Sequence, residues 1–165
     1  MAELTPQERL QPSLLDRLTD LEPDKQIEPR DRRVLSFRRL KESVLRDLAW
    51  LLNTGHLHTV EPLDAYPAVA ASVLNYGVPD FSGLIAAGMD TAVLEKAVHK
   101  AIVSFEPRIA PKSLRVTVLV AKEAMNRNAM TFKIEGELWA EPTPMALYLR
   151  TELDLESGDV TVVES

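Results

Sequence analysis

The stretch FEPRIAP, residues 105–111, sets Glu106 and Arg108 two positions apart across Pro107. Two chemistries suit that pattern. A carboxylate between Phe105 and Pro107 is the one acid in an apolar local setting, the environment that makes a carboxyl a general acid. A small glycoside hydrolase centred on Glu106 would need a second carboxylate facing the same cleft. The strand acids Glu135, Glu137, Glu152 and Asp154 fall on a face assigned to solvent, and a guanidinium beside Glu106 favours the charged form that a proton donor must not hold. The other chemistry is recognition. Side chains at i and i+2 of an extended backbone point to one side, and a proline fixes that backbone in advance. Glu106 and Arg108 would then grip complementary charges or helix ends on a partner. A plainer alternative is that Arg108 satisfies Glu106 inside its own fold. The residues alone leave gripping and internal pairing balanced.

Other reaction centres lack their parts. A second copy of the tripeptide, Glu28–Pro29–Arg30, has no helix-to-strand context. His56 and His58 project similarly if extended, but a metal site needs three or four ligands, and the remaining histidine, His99, sits on the polar side of a helix. No catalytic residue, metal or cofactor is assigned. The chain has no cysteine, which removes disulfides, thiolate zinc sites and cysteine nucleophiles. It has no G-x-S-x-G elbow, G-x-G-x-x-G turn or phosphate-binding loop. A formal charge of −6 argues against nucleic acid as a partner. The arginines at 30, 32, 33, 38 and 39 leave room for a local basic patch, but Glu28, Asp31 and Glu42 lie among them.

The elements that must position Glu106 and Arg108 are marked out by prolines. The 165 residues suit one domain with a tail, at an ordinary 45% hydrophobic and 27% charged. No apolar run approaches a membrane span and the N-terminus has no signal-peptide pattern, so a cytoplasmic location is expected. Residues 1–35 read as an N-terminal arm. Its leucines, Leu10, Leu14, Leu15, Leu18 and Leu21, would dock on the chain's own domain or on a partner, and Ser13 with Asp16 resembles a short capping signal. Residues 36–165 read as a single domain. Leu40, Val44, Leu45, Leu48, Leu51 and Leu52 form a 3.6-period stripe, with Arg39, Glu42, Arg46 and Asp47 off it. Ser36 is placed to cap that helix, and Gly55 to supply a left-handed residue after it. A short helix is expected from about Pro67, closed by residues 75–77. A second long helix begins at the cap Asp90, carries Val93, Leu94, Ala97, Val98, Ala101, Ile102 and Phe105, and ends at Pro107.

Beyond Pro111 the period changes to two. Leu114, Val116, Val118 and Val120 alternate with Arg115, Thr117 and Leu119. Phe132, Ile134 and Leu138 alternate with Lys133, Glu135 and Glu137. Leu147, Leu149, Leu153 and Leu155 alternate with Tyr148, Arg150, Glu152 and Asp154. Residues 125–129 and 141–145 serve as connections, and Gly158–Asp159 turns into a last strand, DVTVVES. Helices followed by a meander imply an α+β fold. Two main helices and a short one would pack on one face of a mainly antiparallel sheet of three to four strands. The last strand would be an edge able to pair with another chain.

RLQPSLLDRLTD, ESVLRDLAWLLNT, SVLNYGVPDFSG, AIVSFEPRI and IEGELWAEPTPMALYLRTELDLESG occur in this order over nearly the whole chain. Together they resemble the TssE proteins of bacterial type VI secretion systems, within the family of phage tail baseplate wedge proteins once thought lysozyme-like. The resemblance implies a structural, non-enzymatic component of a sixfold baseplate. It implies wedge partners TssF and TssG, contacts with TssK and with the sheath subunits TssB and TssC, and a place at the cytoplasmic baseplate docked to the inner-membrane complex, without membrane insertion. It maps the family's E-P-R signature onto Glu106, Pro107 and Arg108 as partner-binding residues, and it gives the last strand a use in starting the contractile sheath. On this reading Glu106→Ala or Arg108→Ala keeps the fold and lowers assembly.

Overall fold

The computed structural model describes residues 13–19, 23–24, 37–81, 90–119, 129–139, 145–154 and 159–164. In chain order the helices are α1 (Leu14–Leu18), α2 (Phe37–Leu52), α3 (Pro67–Ala70) and α4 (Thr91–Phe105). The strands β1 (Arg115–Leu119), β2 (Ala129–Leu138), β3 (Met145–Asp154) and β4 (Val160–Glu164) follow. Short 3₁₀ turns at Leu57–Thr59 and Val73–Asn75 flank α3. Ser36, Leu10, Leu21, Val120, Leu155, the Glu28–Pro29–Arg30 copy and most of the strand connections lie outside the described residues.

The apolar stripe of α2 is buried at Leu40, Val44, Leu48, Leu51 and Leu52, with Leu45 packed partly buried against the same core. On α4 the buried face is Leu94, Val98, Ala101 and Ile102. Val93 departs from expectation: it stands 42% exposed at the rim of that face. Asp90 caps α4 by accepting the Ala92 N–H at 3.1 Å. Both long helices lie over one face of a four-stranded antiparallel meander, β1-β2-β3-β4. That face contributes Phe132, Ile134, Leu138, Leu147, Leu149, Leu153 and Val160 to the core they share. The alternate residues Lys133, Glu137, Tyr148, Arg150, Glu152 and Asp154 are exposed. The α+β architecture expected from the change of period is the one observed. One polar residue breaks the apolar face: Thr151, fully buried, donates to the Phe132 carbonyl at 3.2 Å.

The end of α2 differs from expectation. Gly55 is not left-handed; Gly77, at φ 122°, is the described residue with positive φ. The reason is local satisfaction. Asn53 Nδ2 donates to the Ala49 carbonyl and Thr54 Oγ1 to the Trp50 carbonyl, both at 2.7 Å, so the last turn needs no glycine cap. The chain instead forms a parallel bridge between Gly55 and Val78. There Val78 N–H donates to the Thr54 carbonyl at 2.8 Å, and His56 N–H to the Val78 carbonyl at 3.0 Å. A Cβ on Gly77 would stand 2.2 Å from the Thr54 oxygen, so the close approach itself requires glycine.

Candidate partner-binding site

Pro107 ends α4 after Phe105, and the next residues turn instead of running extended. Ile109 N–H donates to the Glu106 carbonyl at 3.2 Å, which closes a tight turn with proline second, where its fixed φ fits. The turn is then stitched to the end of β2. Trp139 N–H donates to the Arg108 carbonyl at 2.7 Å, and Ala110 N–H to the Glu137 carbonyl at 2.8 Å. Between these bonds Ile109, 1% exposed, pairs with Leu138. The helix-to-strand junction is therefore anchored to the sheet on both sides of Ile109.

Because the chain turns here, Glu106 and Arg108 are not displayed side by side from an extended backbone but face each other, the internal pairing that the residues alone left open. Arg108 Nε donates to Glu106 Oε1 at 2.7 Å and Nη2 to Oε2 at 2.5 Å. The Arg108 backbone N–H adds a third bond to Oε1 at 3.1 Å. Glu106 is 3% exposed. Arg108 continues into α2, where Nη1 donates to Ser43 Oγ at 3.1 Å and Nη2 to Asp47 Oδ2 at 2.5 Å. Burial opposes the charge on Arg108, and the carboxylates of Glu106 and then Asp47 more than reverse that, so its pKa is raised.

The charges extend further than the tripeptide. Arg46 Nε donates to Asp47 Oδ1 at 2.9 Å, and Arg46 Nη1 to Asp16 Oδ1 at 2.6 Å. Asp16, Arg46, Asp47, Arg108 and Glu106 thus alternate in sign from α1, across α2, to the junction. Arg46 Nη2 is buried without a well-directed hydrogen bond, although Asp47 Oδ1 is 2.9 Å away as an ionic contact. The Arg46 guanidinium also lies 5.3 Å over the Trp50 ring. In sequence Arg46 and Asp47 simply lie off the apolar stripe. Ser43 and Asp47, four apart at the stripe's flank, were the available signal.

A groove of about 430 Å³ opens beside this chain of charges. Trp50, Tyr76, Phe105 and Pro107 give it apolar lining, and Asp47, Glu106 and Arg108 line it as well. Tyr76 meets Phe105 edge-on at 5.2 Å between centroids. Burial, with the negative charges of Asp47 and Glu106, pushes the Tyr76 hydroxyl pKa up. Trp50 stays 52% exposed, and Pro107 is exposed. Ser13, at the start of α1, borders the groove. There Ser13 Oγ accepts the Asp16 N–H at 3.3 Å and donates to Asp16 Oδ2 at 2.6 Å, the expected capping. The described leucines of the arm do not enter the core: Leu14, Leu15 and Leu18 are 72%, 42% and 75% exposed.

The remaining candidates are dispersed. His56 Nδ1 accepts the Thr59 N–H at 3.1 Å, His58 Nδ1 accepts the Leu63 N–H at 3.3 Å, and His99 sits half-buried on α4. Among the described residues no three histidines or carboxylates are grouped to hold a metal. Glu135 pairs with Lys133 at 2.9 Å on the outer sheet face, away from Glu106. No described helix is long and apolar enough to cross a membrane. Searches of characterised proteins and of solved structures give no significant match. The profile of one family, described as baseplate wedge protein gp25, matches residues 38–143, from α2 through β2 and including the whole charged junction. With well over half its length matched, this chain belongs to the gp25 family of baseplate wedge proteins.

Proposed function

We propose that this chain is a TssE-like wedge subunit of a type VI secretion baseplate, joining the wedge to the contractile sheath and promoting sheath assembly. The observation that carries the reading is the family match across residues 38–143. A baseplate wedge protein is a structural component, and the junction suits that role. Both carboxylate oxygens of Glu106 are held by Arg108, so Glu106 is not free to serve as the acid of a glycoside hydrolase. Beside them an aromatic-walled groove lies open next to the exposed Pro107. In this reading Glu106 and Arg108 set the shape and charge of the groove's floor, and Trp50 and Pro107 meet the partner helices. TssF and TssG are the wedge partners, TssK is a further contact, and TssB and TssC form the sheath that β4 helps to start. The subunit works on the cytoplasmic side, in a sixfold baseplate docked to the inner-membrane complex.

The test is co-purification with the wedge and sheath subunits. Trp50→Glu changes an exposed groove residue, so its stability should stay within about 1 kcal/mol of wild type. Wedge capture should nevertheless fall sharply. If Trp50→Glu and Arg108→Ala both assembled wedges and sheaths normally, the groove would not be a recognition site. Incubation with peptidoglycan from acidic to neutral pH is expected to release no fragments.

A further inference from the structure

Each outer strand of the sheet has backbone groups facing away from its neighbour, and a side chain from a long helix or its end reaches each of them. On β1, Val118 N–H donates to Glu95 Oε1 of α4 at 2.8 Å. On β4, Asn53, just past α2, binds one residue twice. Val160 N–H donates to Asn53 Oδ1 at 2.7 Å, and Asn53 Nδ2 donates to the Val160 carbonyl at 2.8 Å. Antiparallel alternation gives the remainder. Asp154 N–H donates to the Asp159 carbonyl at 2.9 Å, so Asp159, Thr161 and Val163 bond toward β3. The backbone groups of Val160, Val162 and Glu164 therefore face outward. Val160 is occupied, while among the described residues nothing bonds the outward groups of Val162.

We propose that the β4 edge accepts an added strand from another protein, and that Asn53 sets where its pairing must stop. This rests on the sheath-starting use of β4 proposed above. A primary amide can turn one N–H and its carbonyl oxygen to the same residue, as a neighbouring strand's backbone does, and Asn53 stands where the next backbone pairing would fall. The incoming strand pairs at Val162 and Glu164 and ends against Asn53. It carries an apolar residue beside Val162, whose side chain packs on the core. On the other face it lies beside Thr161 and Val163, the latter 53% exposed. A second copy of this chain cannot use every register. In a two-fold antiparallel pairing centred on Val162, each Val160 would have to bond the other copy's Glu164, and Asn53 already holds both groups of Val160. Asn53 thus shortens the open edge to Val162 and Glu164 and removes every register that needs Val160, which limits slippage.

Amide exchange on the intact wild-type chain tests the stop directly. The Val160 amide should exchange roughly tenfold or more slowly than that of Val162. In Asn53→Ala the Val160 amide should join the fast class while Leu149 and Thr151 stay protected, which shows that the fold survives. Asn53→Asp, which keeps the acceptor, should hold the Val160 amide slow. Register is read by disulfide trapping, which the cysteine-free sequence makes clean. Thr161→Cys is paired with cysteines scanned along the edge strand of a co-assembled sheath subunit. The wild-type background should trap one position, and Asn53→Ala should trap a second position two residues away. Equal exchange of Val160 and Val162 in wild type, or one unchanged trapped position in Asn53→Ala, overturns the stop and leaves strand addition standing. Trapping at no position overturns both.

Discussion

Arg108 is held by four side-chain bonds, two to Glu106 and one each to Ser43 and Asp47, so its removal would leave a buried anion. Glu106 at 3% exposure would lose its compensating charge, and Arg108→Ala should cost about 3–5 kcal/mol by chemical denaturation. This revises the expectation that alanine at either position spares the fold. Glu106→Ala should cost less, because Arg108 keeps Asp47 and Ser43 and its side chain is 22% exposed. Equal losses for the two variants would show that the pair does not depend on Glu106 being the buried member. Arg108→Lys should recover part of the loss, since one ammonium cannot reproduce the forked contact. The sequence announced that Glu106 and Arg108 would meet, because a proline between them limits where they can go. It could not announce Asp47, which is 61 residues from Arg108 and lies off the apolar stripe of its helix.

Among the elements, α1 has too few residues to stand alone, and its described tie to the fold is ionic. Burial raises the Asp16 carboxyl pKa, but the bonds from Arg46 and Ser13 more than reverse that and hold it below its ordinary 3.8. A depressed folded-state pKa contributes stability above the unfolded value, and this is lost as pH falls through the folded one. Acidification below about pH 4 should therefore release α1 while α2 and the sheet remain, as judged by limited proteolysis after residues 13–19. Because Arg46 is partly exposed, the contribution is at most about 1 kcal/mol, and Asp16→Asn should reproduce the release at neutral pH. Release that occurs equally at pH 7 in wild type would contradict this. The longer elements were legible because one-sided burial writes its period into the chain, 3.6 for α2 and α4 and two for the strands. Which glycine would be left-handed was not. That choice depends on Thr54 and Val78 meeting across a bridge, a contact between segments and not a property of either.

At the scale of the molecule, Gly77 shows how little room the long middle connection leaves. Gly77→Ala combines a positive φ with a Cβ driven into the Thr54 carbonyl, and should cost about 3 kcal/mol, or roughly 10 °C in Tm. Gly55→Ala meets open space and should change Tm little by comparison. The last strand was legible as an edge from its β-branched residues and its place at the end of the meander. Its stop at Asn53 was not, because the two residues are 107 positions apart. That separation has a bearing on biogenesis. The hairpin of β2 and β3 can close as soon as both strands exist, but α2 cannot finish docking until β4 has been made. The first long helix waits for the last strand of the meander, so its consolidation cannot precede the synthesis of β4. A nascent chain arrested before Val160 should remain open to protease along α2, and one arrested with β4 clear of the ribosome should be closed.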